Sequence, residues 1–373
     1  MNTVITPTER LQQIRQARER VFTSDVQSDF QIASFSSERA WLEQSWRRCI
    51  AYGHSPEDVV AFDSVPREAI KRTEEANHDL LQAARPTMQK LGVAISSTRY
   101  FAVLTNAMGV VIDTDGVIDR SDPRAQAITR VGVDLSERSI GTSAISTALQ
   151  EQMPVWLHRG EHFFNATSVY SCAGAPLFSP NGVCIGMLDL TGVDEQERPE
   201  LAHIVAQSAR RIENAMIHNL AYSLIIRLNW SGMQLGEASD GLLAVDHEGC
   251  ILGFNQAAMQ MLSPHKKSNI NDVFALSVAS FFDAAKLGKP CLNVPLWSGL
   301  RVDAEPLLPN QHIQRYPPSR LPLKEVTSNL IKQTMQEAKG NVAEAAQKLG
   351  ISRATLYRKL APSSQQKNYH DPR

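Results

Sequence analysis

Cysteine is scarce in this chain, with five thiols in 373 residues at positions 49, 172, 184, 250 and 291. An odd number without a CxxC pair speaks against a disulfide framework or a zinc knuckle and suits reduced thiols. Long apolar runs are missing too. No stretch reaches the roughly 20 residues of a membrane helix, and residues 1–20 lack the apolar centre of a secretory leader. The expectation is a protein of the cytoplasm with no membrane contact. Net charge is nearly absent, at -1, but it is unevenly shared. Residues 320–373 hold ten Lys/Arg against four Asp/Glu, a balance of +6, whereas the rest of the chain holds 28 against 35, or -7. A basic end on an acidic body concentrates the attraction for phosphate in one place and keeps the remainder off nucleic acid. A composition 43% hydrophobic and 21% charged is that of a folded globular protein, long enough for two or three domains.

The basic end has a pattern of its own. From Pro322, a residue pre-shaped for a first helical turn, Leu323, Val326, Leu330 and Ile331 recur at helical spacing until Gly340 offers a left-handed stop. Asn341 can cap a second helix whose stripe is Val342, Ala345, Ala346 and Leu349, ended by Gly350. Ser352 then caps a third, 353–360, with Leu356 and Leu360 facing inward one turn apart. Its outward residues are three cations, a hydroxyl and a phenol. A helix inserted into the major groove needs such groups, because arginine pairs with guanine and cations and hydroxyls hold phosphates. Ala346 lets two helices cross closely and Gly350 accepts the turn between them. The alternative is a small helical bundle with basic residues on a solvated face.

Residues 341–346 and 350–360 resemble the DNA-binding element of the factor for inversion stimulation (Fis) and of bacterial enhancer-binding activators. The likeness covers about a tenth of the chain. It implies double-stranded DNA as partner, with the helix that starts at Ser352 in the major groove and with Arg353, Thr355, Arg358 and Lys359 as contacts. Tyr357 stands where relatives often carry a basic residue and completes the candidate set.

Upstream, Thr6-Pro7-Thr8-Glu9 has the form of a capping box, followed by a stripe of Leu11, Ile14, Ala17 and Val21. Residues 40–52 carry Trp41, Trp46, Cys49 and Ile50 on another amphipathic helix, where two tryptophans mean packing before ligand binding. A helical stretch over 67–91 is interrupted by Pro86. The period then changes to strands. Residues 100–105 and 110–113 flank a tight turn, and 172–178 and 183–190 flank Ser179-Pro180-Asn181-Gly182. Hairpins with intervening helices give an antiparallel sheet of the α+β type. A long helix is expected over 199–227, with Leu201, Ile204, Val205, Ile212, Met216 and Leu220 on one side as a connector or dimer seam.

Five motifs in this region, Ser45-Trp46-Arg47-Arg48-Cys49, residues 139–145, Glu161-His162-Phe163, residues 171–176 and residues 186–190, resemble the GAF sensor of acetoin- and glycerol-catabolism activators. The likeness runs over about 41–216 and implies a small-molecule pocket between sheet and helices. Relatives usually carry asparagine at the position of Ser143 and tryptophan at Val169-Tyr170, so the ligand does not transfer. Phe163, Tyr170, Cys172 and Met187 are the candidate lining. A zinc site from His158, His162, Cys172 and Cys184 would need all four to converge and lacks recognised ligand spacing. Alternatively, His162 bonds within a loop and the cysteines fill strand positions as small hydrophobes. No metal and no cofactor is expected.

Residues 241–258 read as strand, Asp/Gly turn, strand and a helix opened by Asn255, which resembles the opening of a PAS domain. A weaker periodicity over 276–301 leaves room for a trimmed version. Haem on His247 or His265 is disfavoured, since turn and loop histidines are commonly just solvated. Residues 307–321 hold Pro309, Pro317 and Pro318 among polar residues, which is linker chemistry. Longer activators of this type place an ATPase there. Here Gly288-Lys289 is followed by Pro290, and Asp283 stands in the place of the leading glycine, so no nucleotide loop is present.

The reading is therefore a multidomain α+β chain. It comprises an N-terminal helical segment (1–55), a GAF-like sensor with connector helix (56–229), a PAS-like module (231–306), a linker (307–321), the Fis-type element (322–361) and a polar tail (362–373). The implied function is DNA-binding regulation under a small-molecule effector without ATP hydrolysis, by a homodimer that acts with RNA polymerase or a full-length relative. The alternatives are a Fis-like architectural protein and a GAF-type methionine sulfoxide reductase using Cys172 and Cys184.

Overall fold

The computed structural model describes residues 7–23, 40–62, 65–236, 239–264 and 268–309, together with Val342, Ala346 and Leu356. Two compact units divide the chain, residues 1–308 and 309–373. The first opens with α1 (Pro7–Thr23), α2 (Ala40–Ala51), α3 (Arg67–Ala76) and α4 (His78–Ile95). Then come β1 (Phe101–Asn106), β2 (Val111–Gly116), α5 (Pro123–Ile128), α6 (Glu137–Ile140), α7 (Ala144–Glu151), β3 (Val155–His158), β4 (Tyr170–Phe178), β5 (Cys184–Val193) and α8 (Leu201–His218). A second set follows: β6 (Leu224–Trp230), β7 (Gly241–Val245), β8 (Ile251–Phe254), α9 (Gln256–Leu262), α10 (Val278–Leu287), β9 (Cys291–Pro295) and β10 (Arg301–Leu307).

The two sheets are antiparallel, in strand orders β2-β1-β5-β4-β3 and β8-β7-β6-β10-β9. β4 is buried along its whole length, and its side chains alternate between two cores as the period of two requires. Cys172, with Phe101, Val103 and Met187, faces α1, α2, α5 and α7. Ala173, Ala175 and Leu177 face the other way, with Leu188 and Leu190, beneath α4 and α8. Both faces of the sheet are therefore covered, and each fully buried leucine or phenylalanine contributes about 1.5–3 kcal/mol of transfer free energy.

Three differences from the sequence reading have local causes. In α1, Ile14, Ala17 and Val21 are buried but Leu11 is 46% exposed, and Thr6 of the expected capping box lies outside the described residues. The break in the helical stretch 67–91 falls at Asn77, not at Pro86, which sits inside α4. Asn77 Nδ2 donates to Thr73 O at 2.7 Å and closes α3. The bond missing at Pro86 is outweighed by packing of Leu81, Ala84, Met88 and Leu91. The long helix ends at His218 instead of reaching Arg227, and 224–230 form the centre of the second sheet. A short apolar run such as Leu224-Ile225-Ile226 reads equally as helix or as fully buried strand.

That strand belongs structurally with the module that follows it, so a cut at 229–231 would divide one sheet. The apolar side of α8 is also spent within the chain, since Leu201, Val205 and Ile212 pack under the first sheet. It is not a free dimer seam.

The two sheets share contacts at the end of α8. Glu213 accepts the Phe178 N–H at 3.1 Å, Phe254 N–H donates to Pro180 O at 3.0 Å, and Asn255 Nδ2 donates to Asn214 Oδ1 at 2.8 Å. Asn255 caps α9 as the sequence implied, its Oδ1 accepting the Ala258 N–H. In the second unit Val342, Ala346 and Leu356 are helical, with Ala346 and Leu356 buried. These are the small crossing residue and the inward leucine expected of the helix-turn-helix.

Candidate functional site

The site begins where β3 ends. Between His158 and Tyr170 the chain makes two short 3-10 turns, Arg159–Glu161 and Asn165–Thr167, and sends His162, Phe163 and Phe164 inward between them. Phe163 and Phe164 meet edge to face at 5.1 Å. Gly141 is required beneath them, since its φ is +66° and a Cβ would lie 2.8 Å from Phe163 and 3.0 Å from Phe164.

α1 and α2 hold this loop from outside. Arg18 donates to the carbonyls of Gly160, His162 and Phe163 at 3.0, 2.5 and 3.0 Å, and burial pulls its guanidinium below the ordinary arginine pKa. Arg10 clasps both carboxylate oxygens of Glu161 at 2.8 and 2.9 Å. Trp46 Nε1 donates to Glu161 O at 2.9 Å, so this tryptophan does pack, and it also holds the loop. The quoted motifs converge as well. Ser45 Oγ lies 2.5 Å from Glu137 Oε1 and 2.7 Å from Thr142 Oγ1, while Arg48 pairs with Glu137 at 2.8 Å and with Glu151 at 3.4 Å.

Inside the loop is a small cavity of about 20 Å³, room for roughly one water. Its wall is apolar where α5, α6 and β1 supply Ile128, Ile140 and Val103, with Leu135 and Ile145 beside them. The polar lining is Ser143 at the head of α7, His162 and Thr167 from the loop, and Tyr170, Cys172 and Thr191 from β4 and β5. Of the candidate lining residues, Tyr170 and Cys172 are therefore at the cavity. Phe163 and Met187 are buried in the same core but do not line it. Met187 instead lies over Gly174, where its Cε occupies the space a Cβ would take.

Each polar group has a definable state. His162 is 1% exposed, its Nδ1 is 3.0 Å from Arg159 O, and its Nε2 has no partner. A carbonyl only accepts, so Nδ1 carries the proton and Nε2 presents a lone pair. Burial lowers the His162 pKa to about 4, against opposing help from Arg159 O and Glu161. Burial, with the charge of Arg159, likewise lowers His158 to about 4. Tyr170 O–H donates to Arg124 O at 3.1 Å, and burial raises its pKa. Burial raises the Cys172 thiol well above its usual value, with the Asp189 charge adding to the effect. Cys172 Sγ is 3.3 Å from Thr191 Oγ1, whose hydroxyl donates to Asp189 Oδ2. Asp189 is fully buried and burial raises it to about 7.

The metal alternative does not assemble. His158 Nδ1 bonds Ser171 Oγ at 2.6 Å, and Cys184 lies at the far end of β5 opposite Phe178. Among the described residues no group of three His, Cys, Asp or Glu side chains is placed to hold a metal. The loop reading of His162 describes its Nδ1 and misses its Nε2. Thr191 and Asp189 also escaped the candidate list. The available signal was a strand with polar residues at the period-two positions after Met187.

The remaining candidates fall outside the cavity. Gly288 is the left-handed cap that ends α10, the wrong end of a helix for a phosphate cradle. His247 is exposed in a turn, and His265 lies outside the described residues. Ser352, Arg353, Thr355, Tyr357, Arg358 and Lys359 also lie outside them. Among the described residues no helix is long and apolar enough to cross a membrane.

Comparison with known proteins gives two family matches. Residues 322–361 match the family described as bacterial regulatory protein, Fis family, and residues 10–214, more than half of the chain, match the MimR N-terminal domain. The acetoin catabolism regulatory protein of Cupriavidus necator is 28% identical over 229 residues, which is 60% of this chain and 34% of that one. The signal-transduction and transcriptional-control protein of Clostridium beijerinckii is 26% identical over 296 residues, 78% of this chain and 45% of that one. The propane 2-monooxygenase operon transcriptional activator MimR of Mycolicibacterium smegmatis is 28% identical over 148 residues, 39% and 25% of the two chains. The chain thus spans less than half the length of these relatives. Among solved structures, the E. coli DhaR(N)–DhaL complex matches over 72% of this chain and 98% of that one, at 14% identity and a TM-score of 0.44.

Proposed function

The chain belongs to the family of the MimR N-terminal domain, and from that premise we propose that it is a DNA-binding transcriptional regulator governed by a small-molecule effector. The first sheet and the helices over it form the effector sensor, of GAF type. Residues 322–361 contact duplex DNA, with Arg353, Thr355, Tyr357, Arg358 and Lys359 on the helix capped by Ser352. The observation that carries the sensor half is the small apolar cavity that His162 helps to line, the Nε2 of that buried side chain having no hydrogen-bond partner. A buried polar atom without a partner costs stability and is kept where something else completes it.

In this reading the protein acts by occupancy without ATP hydrolysis, because the linker joins the second module directly to the DNA-binding element and no nucleotide loop stands between them. A homodimer would set two recognition helices into successive major grooves, roughly 34 Å apart. The second sheet serves as a PAS-like relay between sensor and linker. The site of action is the cytoplasm, with RNA polymerase or a full-length relative as the downstream partner.

A purely architectural, Fis-like role gives the cavity no purpose. Methionine sulfoxide reduction needs a thiolate, and burial drives both Cys172 and Cys184 the other way. Genomic footprinting of the intact chain, with and without candidate metabolites, tests the proposal. A limited set of sequence-related sites whose occupancy changes with one metabolite is expected. Many weak sites indifferent to every metabolite would replace the switch with the architectural role.

A further inference from the structure

A groove of about 870 Å³ lies apart from the His162 cavity and shares none of its lining residues. It forms where the α3–α4 junction and the end of α8 meet two hairpin turns, β1–β2 and β4–β5. Leu80, Ile185 and Met216 supply its apolar side. On the two turns, Met108 and Val183 border it and stand 74% and 61% exposed. Singly such residues are ordinary on a surface, but together on one apolar groove they offer a face that an apolar partner would cover.

The groove carries charge of one sign. Glu75 and Asp79 line it and no lysine or arginine does, the one basic lining residue being His78. Glu75 pairs with Lys71 at 3.7 Å, but both side chains are exposed, so the pair is weak and the carboxylate stays open to a better partner. Asp79, in the first turn of α4, offsets the positive end of that helix. The C-terminal end of α8, at Asn219 and Leu220, adds partial negative charge. An apolar floor with an acidic margin is the complement of a helix that bears leucines on one face and lysine or arginine beside them. A carboxylate or phosphate would be repelled there, and an uncharged apolar molecule would leave the margin unanswered.

Part of the wall also belongs to the joint between the two sheets. Pro180 O accepts the Phe254 N–H at 3.0 Å, and a Cβ on Gly253 would fall 2.7 Å from both Pro180 Cβ and Leu220 Cδ1. We propose that this groove is a docking site for a basic amphipathic helix of another protein, and that docking bears on the contact of the second sheet with the β4–β5 turn.

The test uses the intact chain with 13C-labelled methionine methyls. The probe is a synthetic peptide of about four helical turns, with leucine on one face and lysine beside it. One control peptide replaces every lysine by glutamate, and the other scrambles the same residues. The basic peptide should shift the Met108 and Met216 methyls and the Phe254 N–H, bind at least about tenfold more tightly than either control, and weaken as salt rises. Glu75→Lys and Val183→Lys, both at exposed positions, should each lower its affinity about tenfold. Leu292→Lys, exposed on β9 of the second sheet, adds the same charge and should leave it unchanged.

Failure of the basic peptide to bind, equal binding of the glutamate peptide, or binding that leaves both methyls unmoved would overturn the docking site. So would methyl shifts that follow protein concentration alone, which would give the groove to a second copy of this chain. Shifted methyls beside an unmoved Phe254 N–H would overturn the effect on the second sheet. None of these results touches the sensor reading, which stands or falls on whether DNA occupancy responds to a metabolite.

Discussion

Arg10 and Glu161, 151 positions apart in the chain, form an ion pair in which one guanidinium nitrogen, Nη2, donates to both oxygens of the fully buried carboxylate at 2.8 and 2.9 Å. The same guanidinium lies 3.8 Å over the ring of Trp156. One side chain of α1 thus fixes the start of the loop that carries His162. The N-terminal helix packs into the core of the first sheet and is not an appendage to it.

Arg10→Gln should strip the buried Glu161 carboxylate of its guanidinium while the His158 N–H still donates to it at 2.7 Å, at a cost of about 3 kcal/mol. Urea unfolding reads this directly. Because the loss comes from a stranded charge, adding Glu161→Gln should recover part of it, and a double-mutant cycle should show coupling above about 1 kcal/mol. Strictly additive losses would mean that the pair is incidental to the loop.

Glu213 gives a pH prediction. Burial raises it from 4.5 to about 7, against the opposing N–H groups of Phe178 and Gln256. Below about pH 4.5 folded and unfolded chains both hold the proton, and the group carries no penalty. As pH rises toward 7 the unfolded state releases its proton first, so stability falls, and the loss is complete above about 7. Glu213→Gln keeps an acceptor for Phe178 and cannot ionise. It should match the wild type near pH 4.5 and exceed it by roughly 2–3 kcal/mol at pH 8. His158 and His162, lowered to about 4, act in the opposite sense and lose stability as pH falls from about 6.5 to 4. The difference between variant and wild type isolates Glu213 from them. A difference independent of pH would contradict the assignment.

Asn255 ties the second sheet to α8. Its Oδ1 accepts the N–H groups of Leu242 and Ala258, each at 2.9 Å, and its Nδ2 donates to Asn214 Oδ1 and Asp240 O at 2.8 and 2.9 Å. Asn255→Ala removes a helix cap and strands two buried donors, with an expected loss of about 2–3 kcal/mol. Hydrogen exchange should accelerate at Leu242 and Ala258 ahead of the first sheet. Unchanged protection there would show that the cap is dispensable.

Much of this was legible in the sequence, for identifiable reasons. Hairpins such as 172–190 announce themselves because turn residues and alternation are local, and Asn255 because a cap acts on its own helix. The end of α8 was not legible: whether Leu224-Ile225-Ile226 continues a helix or becomes a central strand is decided by β7 and β10 on either side. The candidate site was half visible. Tyr170 and Cys172 follow from strand periodicity; Met187 shares that pattern but lies over Gly174, and Phe163, on the loop before β4, is buried in the same core without lining the cavity. The lone pair of His162 depends on which way a loop carbonyl points, and no residue pattern records that.

At the DNA-binding element the proposed roles separate by experiment. Arg353→Ala should cost about 1–3 kcal/mol and relax preference at one base pair if the side chain reads guanine. Lys359→Ala should weaken all sequences alike and reduce the salt slope by about one. Competition binding over a range of salt distinguishes them, and identical behaviour of the two variants would refute this division.

The central claim, that the basic C-terminal element reads DNA while the acidic body governs it, is tested most directly by one binding measurement. Intact protein is titrated in moderate salt against its best selected duplex and random competitor, with and without the effector. The account predicts at least about a thousandfold preference for the selected duplex, and an affinity that changes when the effector is added. Equal affinity for the two duplexes under both conditions would contradict it.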